Sequence, residues 1–313
     1  MTQPAIDFKE VFGKEISPEF QEILSTVFKH APSQFEGEQI EFEGGEPISA
    51  VRGIPRFVSS DNYTESFSYQ WLTYTNTQLD SAQASQLTEQ DLRNKTGLTP
   101  EAVRGKLVLD AGVGIGRHSE LLASWGAYVI GIDLSQSVES AQENLKKFPN
   151  AVVMQCDISQ LPFNPQCFDH IVSIGVLHHT PDTRKYTEYL MPYLKTGGRM
   201  SIWLYSPVFN RRGEWVPLVS RLPLPMFKEW SEWIVDIARN NKGNRLVSAF
   251  IKQFPFSTHH PTAERSVLAL FDGYTPTFHW THTPEEVVGW FNEAGFTDIR
   301  VGKVETAVSG VKA

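Results

Sequence analysis

The chain of 313 residues holds only two cysteines, Cys156 and Cys167, and both fall in one short stretch. No disulfide framework and no paired thiolate spacing for zinc can come from them, so a reducing, cytoplasmic setting is expected and no metal site is read. Long apolar runs are missing too: about 18 consecutive apolar residues, the minimum for a membrane-spanning helix, occur nowhere. The opening MTQPAIDFKEVFGKE has no basic segment followed by an apolar one, so no secretory leader is read. Positive charge is in deficit, with a formal net charge of -8, which argues against a general nucleic-acid binder. Internal repeats and low-complexity tracts are absent. What remains is a chain with 41% hydrophobic residues, long enough for one Rossmann-size unit with additions.

Those additions lie at identifiable places. Residues 1–60 read as an N-terminal extension, with a helical stretch at 18–30 and a hairpin in EQIEFEGGEPISAV turning at Gly44 and Gly45. The stretch 61–79 is dense in aromatics, and a second helical stretch at 88–96 precedes the first clear strand. From 106 to 205 apolar runs alternate with amphipathic stretches, the pattern of a parallel sheet covered by helices on both faces. Strands are expected at 107–110, 128–133, 151–155, 170–174 and 199–205, with Gly197 and Gly198 as a helix stop. Residues 206–270 break the rhythm with Pro-rich turns and clustered tryptophans and read as a lid insertion. The core resumes over 271–313, where Thr283 and Glu286 form a capping box ahead of a helix and a final strand pair closes the sheet.

The chemistry concentrates in LVLDAGVGIGRH at 107–118, a strand running into Gly112, Gly114 and Gly116 and then a helix. Glycines there let the main chain approach a ligand closely. Asp133 ends the next strand, at the spacing where a carboxylate accepts hydrogen bonds from ribose hydroxyls. A dinucleotide fingerprint wants its third glycine after two intervening residues, whereas here the glycines fall at every second place and position 117 is Arg. That disfavours NAD and leaves S-adenosylmethionine, with Asp110 placed to serve the amino and carboxyl end through backbone or water.

The sequence resembles class I methyltransferases of the type 11 group from about residue 61 onwards. The family's glycine motif falls on Asp110 to Gly116, with Val113 where Cys is common, and its ribose-binding acid on Asp133, followed by Leu134. QCDISQLPF corresponds to the family segment in which Asp157 contacts the adenine amino group and the Ile158 amide meets the ring. FDHIVSIGVLHHTPD corresponds to the fourth strand, putting Ile174 against the cofactor, and LKTGGRMSIWLY to the fifth. Tyr63, Phe67, Tyr69, Gln70 and Trp71 resemble the aromatic helix that covers the cofactor, with core packing as the competing account. The resemblance implies a Rossmann-like, doubly wound α/β fold with a mostly parallel seven-stranded sheet.

His178 and His179, just past the fourth strand, are the candidates for proton transfer, although loop histidines often only bond carbonyls. His259, His260, His279 and His282 read as satisfied loop residues, not metal ligands. Asp169 reads as a pin for the fourth strand. Methyl transfer to an oxygen, nitrogen or carbon of a small-molecule acceptor is the implied activity. An NAD-dependent oxidoreductase and a non-catalytic cofactor-binding or partner-binding domain are the alternatives. The insertion, with more Lys and Arg than Asp and Glu, is expected to choose the acceptor, an acidic or amphipathic one met by Arg211, Arg212 and Arg221, or to touch a membrane surface through its tryptophans. Replacing 209–255 by a linker is expected to leave cofactor affinity intact. Gly112→Val is expected to collide with the ligand.

Overall fold

Short apolar runs ended by Gly or Asp make the centre of the molecule, because strands covered on both faces bury every side chain. The computed structural model describes residues 6–58, 62–207, 216–241, 243–252 and 260–313. In chain order the strands are β1 Pro32–Glu36, β2 Gln39–Phe42, β3 Ile48–Val51, β4 Ile54–Arg56, β5 Leu107–Ala111, β6 Tyr128–Asp133, β7 Ala151–Gln155, β8 Phe168–Ile174, β9 Leu194–Trp203, β10 Phe296–Val301 and β11 Ala307–Lys312. Among the described residues they form one eleven-stranded sheet, ordered β1-β2-β3-β4-β7-β6-β5-β8-β9-β11-β10. Every residue of β5 and β7 is buried. The run β7-β6-β5-β8-β9 is parallel, and β11 and β10 close it antiparallel.

The sheet has eleven strands where seven are expected; the portion from β7 to β10 has the Rossmann-like order that the sequence implies, and β1 to β4 extend it. From β5 the chain steps through β6 to β7 on one side, then returns to β8 on the other side of β5. Order therefore reverses between β5 and β8, and the crevice beyond the carboxyl ends of strands at such a reversal is where open α/β sheets take ligands.

Three further expectations need correction. The N-terminal extension is no mere addition to the core, since it joins the central sheet. The expected hairpin is present as β2 and β3, but β1 and β4 flank it, and β4 joins β7 in parallel at Arg56 and Gln155. Phe8, Phe12, Phe20 and Leu24 sink into the same apolar core as Ile130, Met154 and Phe163, since a β7 edge otherwise left open needs cover. Second, Gly197 and Gly198 do not end a helix: β9 starts before them, and its register against β8 shifts between Phe168 and His170, so the glycines lie in an irregular first half of the strand. Third, the insertion runs past residue 270, because the helix Ala263–Tyr274 continues through it. Arg211, Arg212, Trp215 and His259 lie outside the described residues. Asp169 does pin its strand, accepting from the Leu107 N–H at 2.9 Å and from Lys195 Nζ at 3.0 Å. No helix among the described residues is long and apolar enough to cross a membrane.

Candidate active site

The turn after β5 is built by torsions that side chains resist. Gly112 has φ +93° and Gly114 φ +53°. The Gly112 and Val113 amides both donate to the Ile132 carbonyl at 2.8 Å, which ties the turn to β6. A Cβ on Gly112 would stand 2.2 Å from the side chain of Val176. The conflict expected with a ligand is therefore first a conflict with the protein, and Gly112→Val tests packing before it tests binding. At Gly114 a Cβ would meet nothing nearer than Trp71 Nε1 at 3.8 Å, so that position is the open face of the turn.

Asp133 ends β6 beside this face. Its Oδ2 accepts the Gly114 N–H at 3.0 Å, and its Oδ1 accepts from the Ser135 amide and hydroxyl at 2.9 and 2.6 Å. The carboxylate is thus aimed by three local donors, which leaves its position little freedom. One strand further out, Asp157 Oδ1 accepts the Ser159 N–H at 2.7 Å. Tyr63 and Tyr186 lie beside Asp157, and burial pushes the Tyr63 phenol well up. Gly112, Gly114, Asp133, Leu134, Asp157, Ile158, Ile174, Trp71 and His179 all line one cleft, which encloses about 1050 Å³ of space with its open mouth included.

Four of the expected site residues do not line it. Asp110 is 1% exposed beneath the turn, where Oδ2 accepts the Ser119 hydroxyl at 2.7 Å and Oδ1 has no partner. Burial pushes its carboxyl up to about 7, against the pull of the Ser119 hydrogen bond and Arg117. Asp110 therefore supports the turn from behind. Gly116, at φ +86°, lets the next helix approach Leu145 and Ala141. Gln70 is buried and donates from Nε2 to Asp272 Oδ1 at 2.8 Å. His178 sits in the wall behind the cleft, stacked on Tyr205 with ring centroids 3.8 Å apart, its Nδ1 accepting the Tyr205 N–H at 3.3 Å. Burial first, then the neighbouring His179, holds His178 well below the usual imidazole range, so it stays neutral.

His179 differs from its neighbour. It lines the cleft, and its Nδ1 lies 2.9 Å from the Phe278 carbonyl. A carbonyl only accepts, so Nδ1 carries the proton and Nε2 is the basic nitrogen. The segment that supplies this carbonyl is itself tied down: the Trp280 amide donates to the His178 carbonyl and the Trp280 indole to the Thr180 carbonyl. Among the described residues no group of His, Cys, Asp and Glu is arranged to hold a metal ion.

Arg117, Tyr205 and Asp272 also line the cleft and were not singled out as binding residues from sequence. Asp272 comes from the insertion, and its signal was an acid inside the apolar helix run LALFDGY. Of the insertion's expected contacts, Arg221 is exposed and not on the cleft, Trp230 packs on the insertion's own core, and Trp233 is exposed.

Residues 109–202 match the family model described as a methyltransferase domain. This part of the chain is thus similar to methyltransferase domains, and it carries the parallel centre of a Rossmann-like sheet. It is 36% identical over 100 residues to a ubiquinone biosynthesis O-methyltransferase of Coxiella burnetii, covering 31% of this chain and 43% of that enzyme. It is 31% identical over 105 residues to a demethylmenaquinone methyltransferase of Clavibacter sepedonicus, covering 33% and 43%. The chain thus spans less than half the length of these curated relatives. Among solved structures, phosphoethanolamine N-methyltransferase 2 of Haemonchus contortus, in complex with S-adenosyl-L-methionine, aligns with 83% of this chain and 48% of its own at 20% identity and a TM-score of 0.43.

Proposed function

We propose that the protein transfers a methyl group from S-adenosylmethionine to an oxygen, nitrogen or carbon of a small-molecule acceptor. The observation that carries this reading is the single cleft lined by Gly114, Asp133 and Asp157, one from the end of each of three adjacent strands. Those three positions match the demands of an adenosyl ligand: an open backbone face, a fixed acceptor for two ribose hydroxyls, and an acceptor for an exocyclic amine. When bound, the cofactor supplies a methyl group already activated by its sulfonium charge.

The protein's own part is alignment and exclusion of water. Phe67 and Trp71 roof the cleft, and the Phe67 ring lies 5.1 Å from that of His179. His179, with Nδ1–H held by the Phe278 carbonyl, offers Nε2 as the base for an acceptor hydroxyl; His178, neutral and behind Tyr205, positions that wall instead. The insertion over the cleft selects the acceptor, an acidic or amphipathic molecule. Calorimetry tests the cofactor: adenosylhomocysteine should bind and NAD should not, and the reverse result removes the reading. Incubating the protein with labelled methyl donor and a metabolite extract should then place label on a small molecule found by mass spectrometry. Binding without any labelled product would leave a cofactor-binding protein and no enzyme.

A further inference from the structure

The insertion reaches the cleft with a charge of its own. Asp272, on the helix Ala263–Tyr274, lines the cleft and is oriented by Gln70 Nε2 at 2.8 Å. Gln70 is fully buried and its own Oε1 has no partner. Arg117 opens the helix Arg117–Ser124 that follows the glycine turn, and it lines the same cleft. Among the described residues no ion pair joins Arg117 to Asp272, although Arg117 acts electrostatically on both Asp272 and Asp110. A cation and an oriented carboxylate that line one cleft without pairing to each other are complementary to a zwitterion bound there.

Strand order says which zwitterion. The adenine and ribose acceptors Asp157 and Asp133 end β7 and β6, so a ligand lying along the sheet edge continues towards β5 and the helix that Arg117 begins. Trp71, next to Gln70 in sequence, already stands over Gly114 on this side. The amino-acid half of the cofactor is the part left to fill that end.

We propose that Asp272 of the insertion binds the α-ammonium of the cofactor while Arg117 of the core binds its α-carboxylate, so that the insertion closes on the cofactor and not only on the acceptor. This rests on the adenosylmethionine reading above. It differs from the sequence-level expectation that the insertion leaves the cofactor alone. The consequence is an ordered site, in which the cofactor's own amino acid draws the insertion into place before the acceptor is chosen.

Three ligands separate the halves: adenosylhomocysteine, its analogue with hydrogen in place of the α-amino group, and 5′-methylthioadenosine, which lacks the amino acid. By calorimetry, Asp272→Asn should weaken adenosylhomocysteine at least about tenfold and the other two less than about twofold, since Asn still accepts from Gln70 but carries no charge. Arg117→Gln should weaken adenosylhomocysteine and the deaminated analogue alike and spare methylthioadenosine. Equal loss for all three ligands with Asp272→Asn, or no loss for any, overturns the proposal. Should that variant not fold, the wild-type protein decides: it should prefer adenosylhomocysteine to the deaminated analogue by about tenfold or more, and equal affinities overturn the proposal. Wild-type protein that binds no adenosylhomocysteine removes the cofactor reading itself, whereas binding that is blind to the amino group removes only the role of Asp272.

Discussion

The parallel centre and the insertion hold their side of the cleft by different means. β5, β6, β7 and β8 are joined by continuous backbone ladders and packed on both faces, so Asp133 and Asp157 sit where the sheet puts them. The insertion has an apolar core of its own, with Phe227, Ile234, Leu268, Phe271 and Tyr274, joined to the rest through Tyr69, Trp71 and Tyr74 of the aromatic helix. Its polar ties to the core include Gln70 to Asp272, Thr77 to Glu264 at 3.1 Å and Tyr74 to Glu232 at 3.4 Å. A unit packed this way can open without disturbing the sheet. The adenosyl half of the proposed ligand thus meets a fixed surface and its amino-acid half a separable one.

The largest effect should come from cutting the insertion's core. Phe227 is fully buried, with its ring 4.9 Å from that of Phe271 and 5.4 Å from that of Trp230. Phe227→Ala should cost about 3–5 kcal/mol of local stability. Hydrogen exchange should then show protection lost over 224–274 and kept in β6 and β7. Protection lost evenly everywhere would mean that sheet and insertion are one cooperative unit, and the comparison would fail.

Next in size is the replacement of 209–255 by a Gly/Ser linker. It removes the helix Leu224–Asn240, whose Phe227, Ile234 and Val235 pack against Phe271 on the helix that bears Asp272. Turnover should fall by about a hundredfold or more, roughly 2.7 kcal/mol, and adenosylhomocysteine should bind about tenfold more weakly. Affinity within about threefold of wild type would restore the view that the insertion serves the acceptor alone.

Asp133→Ala probes the fixed side. Two ribose hydroxyls lose a charged acceptor, so adenosylhomocysteine and methylthioadenosine should both weaken by about 2 kcal/mol, or roughly thirtyfold. A folded variant with unchanged affinity for both would sink the ribose assignment.

The same division explains what could be read from sequence. β6 and β7 begin and end where their apolar runs do, because a buried parallel strand writes its limits in hydrophobicity and its turn in glycine. β4 has three residues, and β1, PSQFE, has no clear alternation. β4 exists because β7 offers it an edge, and β1 because β2 does, tertiary facts that no local pattern carries. Adjacency misled at His178 and His179, since neighbours on a short helical turn face different ways and only the fold decides which meets the cleft. Asp110 and Gly116 belonged to a motif whose residues were all read as contacts, although two of them work from behind through Ser119 and Leu145. Asp272 was hidden because a single acid on an apolar helix has no partner in its own segment; Gln70 lies about two hundred residues away.

The smallest effect, and the one that bears most directly on the separable side, concerns Asp272 and pH. Burial pushes its carboxyl up to about 6, with the Gln70 hydrogen bond and Arg117 pulling the other way. The unfolded chain releases this proton near 3.8, the ordinary value for the group. Between about pH 4 and pH 6 the native state therefore holds a proton that the unfolded state has lost, and stability from this group falls as pH rises through that window. Above about 6 both states are ionised and the full cost of a buried charge remains. Because the side chain borders the solvent-filled cleft, that cost should be only about 1 kcal/mol. Asp272→Asn cannot titrate, so urea unfolding should find it equal to wild type near pH 4 and about 1 kcal/mol more stable near pH 7. Saturating adenosylhomocysteine should erase this advantage, since the ammonium then neutralises the wild-type carboxylate and the variant has nothing to offer it. A variant less stable than wild type at pH 7 without ligand would mean that Asp272 is paired within the protein already, and the separable side would have no charge left with which to recognise a ligand.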